Sequence, residues 1–203
     1  ESVLSLVNRS PRENEYLFYR REVKLPPDFR KDIIILHFGA VDQEVDVFIN
    51  GHHVKTHAVP FLPFSVDISE RVGTKRFEII LRVKDQTRRG FHLIGKQSEA
   101  RGGIWYTPQS GVWQTIWLES YSLVHLDNVK VTTNFNEEEA LIHFDKSGFG
   151  LVKCRLSFEG QVLEEFESDE RVCRVKIPNF KAWSPETPHL YDLELKFGDD
   201  VIR

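Results

Sequence analysis

The sequence has no methionine, only two cysteines among 203 residues, and no long apolar run. Without an apolar stretch of about 20 residues it offers no candidate for a membrane-spanning helix, so we expect no membrane partner. Two cysteines are too few for the disulfide framework of a small secreted protein. The chain starts at Glu1 and shows no signal peptide, so we expect a processed, excised or incomplete chain.

An excess of charge of one sign is also missing. The 27 lysines and arginines and the 31 aspartates and glutamates leave a net charge of −4 and are interspersed along the chain. No basic stripe is available to neutralise a phosphate backbone, so we expect no nucleic acid partner. A content of 40% hydrophobic and 29% charged residues is typical of a soluble globular protein.

Both cysteines fall within alternating apolar patterns, Cys154 between Val152 and Leu156, and Cys173 beside Val175. Such positions indicate inward-facing strand residues. We therefore predict buried free thiols, with a disulfide bridge as the less favoured alternative. Unpaired thiols favour a reducing compartment, and the expected location is the cytoplasm.

Alternation of apolar and polar residues recurs along the chain, whereas no long window shows helical spacing with caps. The clearest segment is VDVFINGHHV, Val45 to Val54, in which valine and isoleucine alternate with other residues before Asn50 and Gly51. An Asn-Gly pair readily adopts two successive positive φ angles, so this segment is predicted to form a β-hairpin. The predicted fold class is all-β.

The chain is long enough for two domains with separate cores. After a long polar segment, Lys84 to Ser110, shorter strands restart at His125 with even spacing and glycine or acidic turns. This spacing is typical of an immunoglobulin-like β-sandwich. We therefore divide the chain into residues 1–122 and residues 123–203, and we expect the second domain to be incomplete at its C-terminal end.

Three of the four tryptophans lie in one segment, GIWYTPQSGVWQTIWLE, from Gly103 to Glu119. So much aromatic surface serves either a core or a ligand site. Apolar neighbours favour burial of Trp113 and Trp117 in the core. Trp183, which precedes two proline-containing pairs, is expected to pack beneath the last strand.

Three histidines in and after the hairpin, His52, His53 and His57, raise the question of a metal site. Adjacent histidines on a strand point to opposite faces of the sheet, which leaves at most two of them on one face. Structural and catalytic zinc sites use three or four protein ligands. We therefore expect no metal and no cofactor.

Four segments in a fixed order carry a resemblance to a known family. They are VDVFINGHHV, PFLPFSVDIS, GIWYTPQSGVWQTIWLE and AWSPETPHLYDLEL. Together they resemble landmarks of glycoside hydrolase family 2, the family of β-galactosidases, β-glucuronidases and β-mannosidases. The resemblance covers essentially the whole chain. It implies a jelly-roll, galactose-binding-like sandwich that binds sugar, followed by an immunoglobulin-like β-sandwich, and a β-glycoside as carbohydrate partner.

In this family a (β/α)8 barrel follows the two sandwiches and supplies both catalytic glutamates, one as nucleophile and one as acid/base. Such a barrel needs about 250 residues. The resemblance therefore implies no catalytic residue in this chain, and it makes the chain's own downstream barrel a partner. It also implies a homo-oligomer formed through the parent enzyme.

The resemblance further implies that the loop before Ser110 and Gly111 reaches the rim of the barrel's active site. Large β-galactosidases carry an acidic residue in this loop that helps to hold a cation, and its absence here puts that cation in doubt. An aromatic wall for a sugar and three hydrogen-bond donors remain as substrate-binding candidates. They are Trp105, Tyr106, Gln109, Lys96 and Gln97. Alternatively, the two aromatic residues only wedge the loop against the barrel or the sandwich.

Three functions follow from these observations. The leading one is the non-catalytic N-terminal portion of a family 2 retaining glycosidase, β-galactosidase-like, that acts in carbohydrate metabolism. The alternatives are a free-standing carbohydrate-binding module and a structural β-sandwich interaction unit. Continuation of the reading frame past Arg203 into a barrel would favour the first.

Overall fold

The computed structural model describes residues 14–87, 89–100 and 102–203, and within them it contains β-strands and no helix. This confirms the all-β prediction. The strands are β1 Leu17–Lys24, β2 Ile33–Phe38, β3 Val41–Asp42, β4 Glu44–Ile49, β5 His52–His57, β6 Phe64–Asp67, β7 Arg76–Lys84, β8 Gly111–Val112, β9 Ile116–Tyr121, β10 His125–Asn134, β11 Glu139–Ser147, β12 Val152–Phe158, β13 Gln161–Ser168, β14 Val172–Lys176, β15 Tyr191–Phe197 and β16 Asp200–Ile202.

The chain divides into two compact units, Glu1–Ser120 and Tyr121–Arg203. In the first unit, a sheet with strand order β1-β7-β4-β5 and a sheet with order β6-β2-β9 share one apolar core, and β3 pairs separately with β8. The sandwich forms because β4 and β7 alternate strictly, so that one face of each strand is apolar. Val45, Val47 and Ile49 of β4 are fully buried in this core.

The predicted hairpin is present between β4 and β5. Asn50 and Gly51 have φ angles of 49° and 80°, as a two-residue turn of this kind requires. The Asn50 side chain also joins the turn to the rest of the sandwich, because it donates to the Arg71 carbonyl oxygen at 2.6 Å and accepts from the Glu78 amide at 2.9 Å.

The second unit has its own core between a sheet of order β10-β11-β14 and a sheet of order β13-β12-β15-β16. Cys154 on β12 and Cys173 on β14 are both buried and both free, which confirms the prediction of buried free thiols. Burial, with a contribution from neighbouring Cys173, raises the pKa of the Cys154 thiol to about 12.

One buried carboxylate stabilises the end of this second core. Glu139 on β11 is buried and accepts two hydrogen bonds from Arg174 Nη1, at 2.9 and 2.8 Å, and it lies 3.3 Å from Lys176 Nζ. Burial opposes ionisation of Glu139, but the hydrogen bonds from Lys176 and Arg174 outweigh it and lower the pKa of the carboxyl group. The pair of cations therefore keeps Glu139 charged.

The prediction that Trp113 and Trp117 are core residues is wrong. Their side chains are 46% and 40% exposed. On β9 the core is contacted by Ile116 and Leu118, and strand alternation then directs Trp117 to the opposite face. Trp183 is 60% exposed, so the expectation that it packs beneath the last strand is also wrong.

Candidate functional site

The segment between β7 and β8 contains a loop that carries all five candidate sugar-binding residues. We call residues 96–100 and 102–109 the aromatic loop. Gln97 pairs with Tyr106 in a parallel bridge, and Gly102 pairs with Trp105 in an antiparallel bridge. The Tyr106 amide donates to the Lys96 carbonyl oxygen at 2.8 Å, and the Ser98 amide donates to the Tyr106 carbonyl oxygen at 3.0 Å. These bonds hold the two arms of the loop side by side.

The base of the segment is fixed by a buried carboxylate. Asp85, directly after β7, is 3% exposed. One of its oxygens accepts from the Thr87 amide at 2.6 Å, and the other accepts from the Ser110 hydroxyl. Asp85 therefore binds residues at both ends of the segment. Charge-assisted hydrogen bonds of this kind are strong enough to order a loop.

Gln97 connects the aromatic loop to the first sandwich. Its Nε2 donates to Asp42 Oδ2 at 2.9 Å, and its Oε1 accepts from the Gln109 amide at 2.5 Å. Asp42 is buried on β3, where it pairs with Gly111 of β8. Both ends of the Gln97 amide therefore hold the loop in place.

The candidate side chains differ in how far they reach solvent. Tyr106 is 68% exposed, Lys96 and Gln109 are also exposed, and Trp105 and Gln97 are partly buried. The structure therefore places all five candidates on one loop. It leaves Tyr106, Lys96 and Gln109 accessible from outside the chain.

Gly111, in the Ser-Gly pair that closes the segment, allows a close approach by Tyr19. The φ angle of Gly111 is 93°, and a Cβ atom at this position would overlap the Tyr19 hydroxyl oxygen. The adjacent Val112 amide lies 3.4 Å from the same oxygen, to which it donates. Only glycine suits both the backbone conformation and this contact.

Sequence reasoning missed Asp42 and Tyr19. It assigned Asp85 to a solvated charged loop, with contact to a substrate as the alternative, whereas Asp85 is 3% exposed and fixes the base of the segment. Asp85 carried a local signal, since an aspartate directly after an apolar strand often accepts a hydrogen bond from the backbone two residues later. Asp42 and Tyr19 carried no local signal, because their partners lie 55 and 93 residues away.

Two of the three histidines that raised the question of a metal site, His53 and His57, make other contacts. His53 contacts Thr56 and Asp46, and His57 contacts the Val59 carbonyl oxygen and stacks on Phe64. Across residues 14–87, 89–100 and 102–203, no group of three or more His, Cys, Asp or Glu side chains could hold a metal ion. In the same residues, no helix is long and apolar enough to cross a membrane.

Comparison with known proteins gives matches over both units. Residues 124–202 match the model of the family described as glycosyl hydrolases family 2. A β-galactosidase of Thermoanaerobacter pseudethanolicus is 24% identical over 203 residues, which cover 91% of this chain and 27% of that protein. A canine β-glucuronidase is 24% identical over 210 residues, covering 89% of this chain and 32% of that protein. The chain thus spans about a quarter to a third of the length of these relatives.

Solved structures give the same fold. A β-glucuronidase of Ruminococcus gnavus in complex with D-glucaro 1,5-lactone superposes with a TM-score of 0.74 at 21% identity, over 93% of this chain and 35% of that chain. A β-D-glucuronidase of Dictyoglomus thermophilum superposes with a TM-score of 0.69 at 23% identity, over 93% and 36%. The second unit therefore matches the model of glycosyl hydrolases family 2, and the relatives that are similar over both units are β-galactosidases and β-glucuronidases.

Proposed function

We propose that this chain is the non-catalytic N-terminal portion of a retaining β-glycosidase, and that its aromatic loop contributes to the sugar site of the complete enzyme. The observation that carries this proposal is the aromatic loop itself. It is fixed to the sandwich by the bond from Gln97 to Asp42, and Asp85 holds the two ends of the segment that contains it. The Tyr106 side chain is nevertheless 68% exposed. A loop held in this way can contribute to a site without a large loss of conformational entropy on binding.

The exposed residues suit a carbohydrate. Tyr106 and the partly buried Trp105 offer aromatic faces for the apolar C–H face of a sugar ring, and Lys96 and Gln109 offer hydrogen-bond donors. Gln97 has a different role in this proposal. Because its amide is already bonded to Asp42 and to Gln109, it positions the loop instead of contacting the sugar.

The chemistry of the complete enzyme would come from a third domain. Retaining glycosidases need two carboxyl groups about 5 to 5.5 Å apart, one as nucleophile and one as acid and base. We place both in a downstream (β/α)8 barrel. We assign to the present chain a jelly-roll sugar-binding domain, residues 1–122, and an immunoglobulin-like domain, residues 123–203.

The proposed substrate class is a β-galactoside. It follows the β-galactosidase relatives of Thermoanaerobacter pseudethanolicus and Thermoanaerobacterium thermosulfurigenes, each 24% identical, over 203 and 198 residues. Other relatives are β-glucuronidases, so a β-glucuronide is the comparison substrate in any assay.

The test is hydrolysis of nitrophenyl β-galactoside and nitrophenyl β-glucuronide. The 203-residue chain should release no nitrophenol above a blank, whereas the product of a longer reading frame that carries this chain and a barrel should release it. Release by the chain alone would contradict the proposal, and so would a longer product that is folded and inactive on both substrates.

A further inference from the structure

The first unit has a surface cleft formed by aromatic residues outside the aromatic loop. We call it the tryptophan cleft. It has a volume of 660 Å³, and its lining includes Gly39, Phe61, Trp113, Gln114, Thr115 and Trp117. It contains both tryptophans that the sequence places wrongly in the core.

The two indole rings are held in fixed orientations while part of their surface stays exposed. Trp113 donates its indole N–H to the Pro60 carbonyl oxygen at 2.9 Å. Its ring meets the Phe61 ring edge to face, with the two ring centroids 6.1 Å apart. The Trp117 indole N–H donates to Glu119 Oε1 at 2.9 Å. The Trp117 ring stacks on the His37 ring, with the ring centroids 4.9 Å apart and an interplanar angle of 10°. Their N–H groups are already satisfied, so what each ring offers a ligand is its apolar surface.

Gly39 brings polar groups between these aromatic residues. A Cβ atom on Gly39 would lie 2.7 Å from the Gln114 Cβ, so only glycine lets Gln114 pack so closely. The Gly39 amide donates to the Thr115 carbonyl oxygen at 2.8 Å and fixes this part of the chain. The exposed side chains of Gln114 and Thr115 supply an amide and a hydroxyl group beside the indoles.

This combination identifies a ligand class. Aromatic faces pack against the C–H face of a pyranose, and an amide and a hydroxyl group can pair with its hydroxyl groups. None of the described residues that line the cleft carries a formal positive charge, so none of them would form an ion pair with the carboxylate of a uronic acid. We propose that the tryptophan cleft binds a neutral sugar, as a second carbohydrate site in addition to the proposed role of the aromatic loop.

The experiment is an NMR titration of the 203-residue chain, observed through the indole N–H signals of its four tryptophans. Each signal is assigned by single Trp→Phe replacement. The probes are lactose, which is neutral, and methyl β-D-glucuronide, which is charged. With lactose up to about 20 mM, the signals of Trp113 and Trp117 should shift along a binding curve with a Kd of about 1 to 10 mM, while those of Trp105 and Trp183 stay in place. Methyl β-D-glucuronide should shift the same two signals at least about fivefold more weakly.

A matched pair of variants tests the cleft without removing an indole ring from it. Gln114→Ala should weaken lactose binding about fivefold. Trp183→Ala removes an indole that is 60% exposed on the second unit and should leave the affinity unchanged. Unchanged affinity in Gln114→Ala would overturn the assignment of the amide.

Three results of the titration overturn the proposal as a whole. The first is that the Trp113 and Trp117 signals do not shift at about 20 mM lactose, the highest concentration used. The second is an equal shift of all four indole signals, and the third is a shift of the Trp105 signal alone. The last would support the aromatic loop as the sugar site, so the two proposals fail separately. Because the titration itself uses the unmodified chain, poor folding of Gln114→Ala does not prevent the decision.

Discussion

At the scale of single residues, position 111 requires glycine for two reasons, its positive φ angle and its contact with Tyr19. Gly111→Ala would place a Cβ against the Tyr19 hydroxyl oxygen at a φ angle of 93°. Strain in this region of φ and overpacking each cost about 1 to 3 kcal/mol. We expect Gly111→Ala to lower the free energy of unfolding by about 2 to 5 kcal/mol, measured by urea denaturation.

The control for this prediction is Gly73→Ala. A Cβ atom on Gly73 would meet nothing within 4 Å, and its φ angle is not positive, so this variant should be neutral or slightly stabilising. Tyr19→Phe combined with Gly111→Ala should recover part of the loss, because it removes the overlapping oxygen. Equal stability of the two alanine variants would show that the contact has no energetic weight.

The thiols provide a second prediction at this scale. The pKa of Cys154 is raised to about 12, and only the thiolate reacts with disulfide reagents. At pH 8 its thiolate fraction should therefore be about a hundredth or less of that of a free cysteine. In the native protein both buried cysteines should resist the reagent, and both should react once the chain is denatured without reductant. Rapid native reaction, or fewer than two reactive thiols after denaturation, would contradict the buried free state.

At the scale of elements, the position of the aromatic loop depends on the side chain of Gln97, which lies within the loop and bonds to Asp42 on β3. Gln97→Ala should free the loop from Asp42 and from the Gln109 amide. The Tyr106 amide, which donates to the Lys96 carbonyl oxygen, should then exchange with deuterium about tenfold faster by NMR. Gln109→Ala leaves the Gln109 backbone amide in place and should not change this rate. Identical exchange in the two variants would exclude Gln97 as the residue that holds the loop.

Some elements could be predicted from the sequence and others could not. The β4–β5 hairpin could be predicted because its determinants, alternation and an Asn-Gly turn, are local. The exposure of Trp117 could not, because apolar neighbours do not reveal which face of a strand is covered by the other sheet. Trp113 lies between β8 and β9, outside both strands. The candidate loop residues were proposed from family resemblance and stay a prediction, whereas their anchors Asp42 and Tyr19 depend on tertiary contacts that no short window of sequence contains.

At the scale of the whole molecule, two separate cores form from one pattern of alternation. The first unit carries both the aromatic loop and the tryptophan cleft. Both features expose aromatic rings that are not needed to close a core. The second unit also exposes aromatic rings, at Phe135, Phe149 and Trp183, so each proposed site rests on its own geometry and has its own test.

The last prediction concerns the longer protein in which we place this chain. Trp105→Ala should lower kcat/KM for nitrophenyl β-galactoside about tenfold or more, because an aromatic wall acts on the bound sugar in the transition state as well as in the ground state. The melting temperature should change little, since Trp105 lies on a loop and outside the described core of the first unit. Trp183→Ala, at an exposed indole of the second unit, is the matched control and should leave kcat/KM unchanged. If Trp105→Ala instead unfolds the protein, or if both variants keep full activity, the aromatic loop has a packing role and does not contact the sugar.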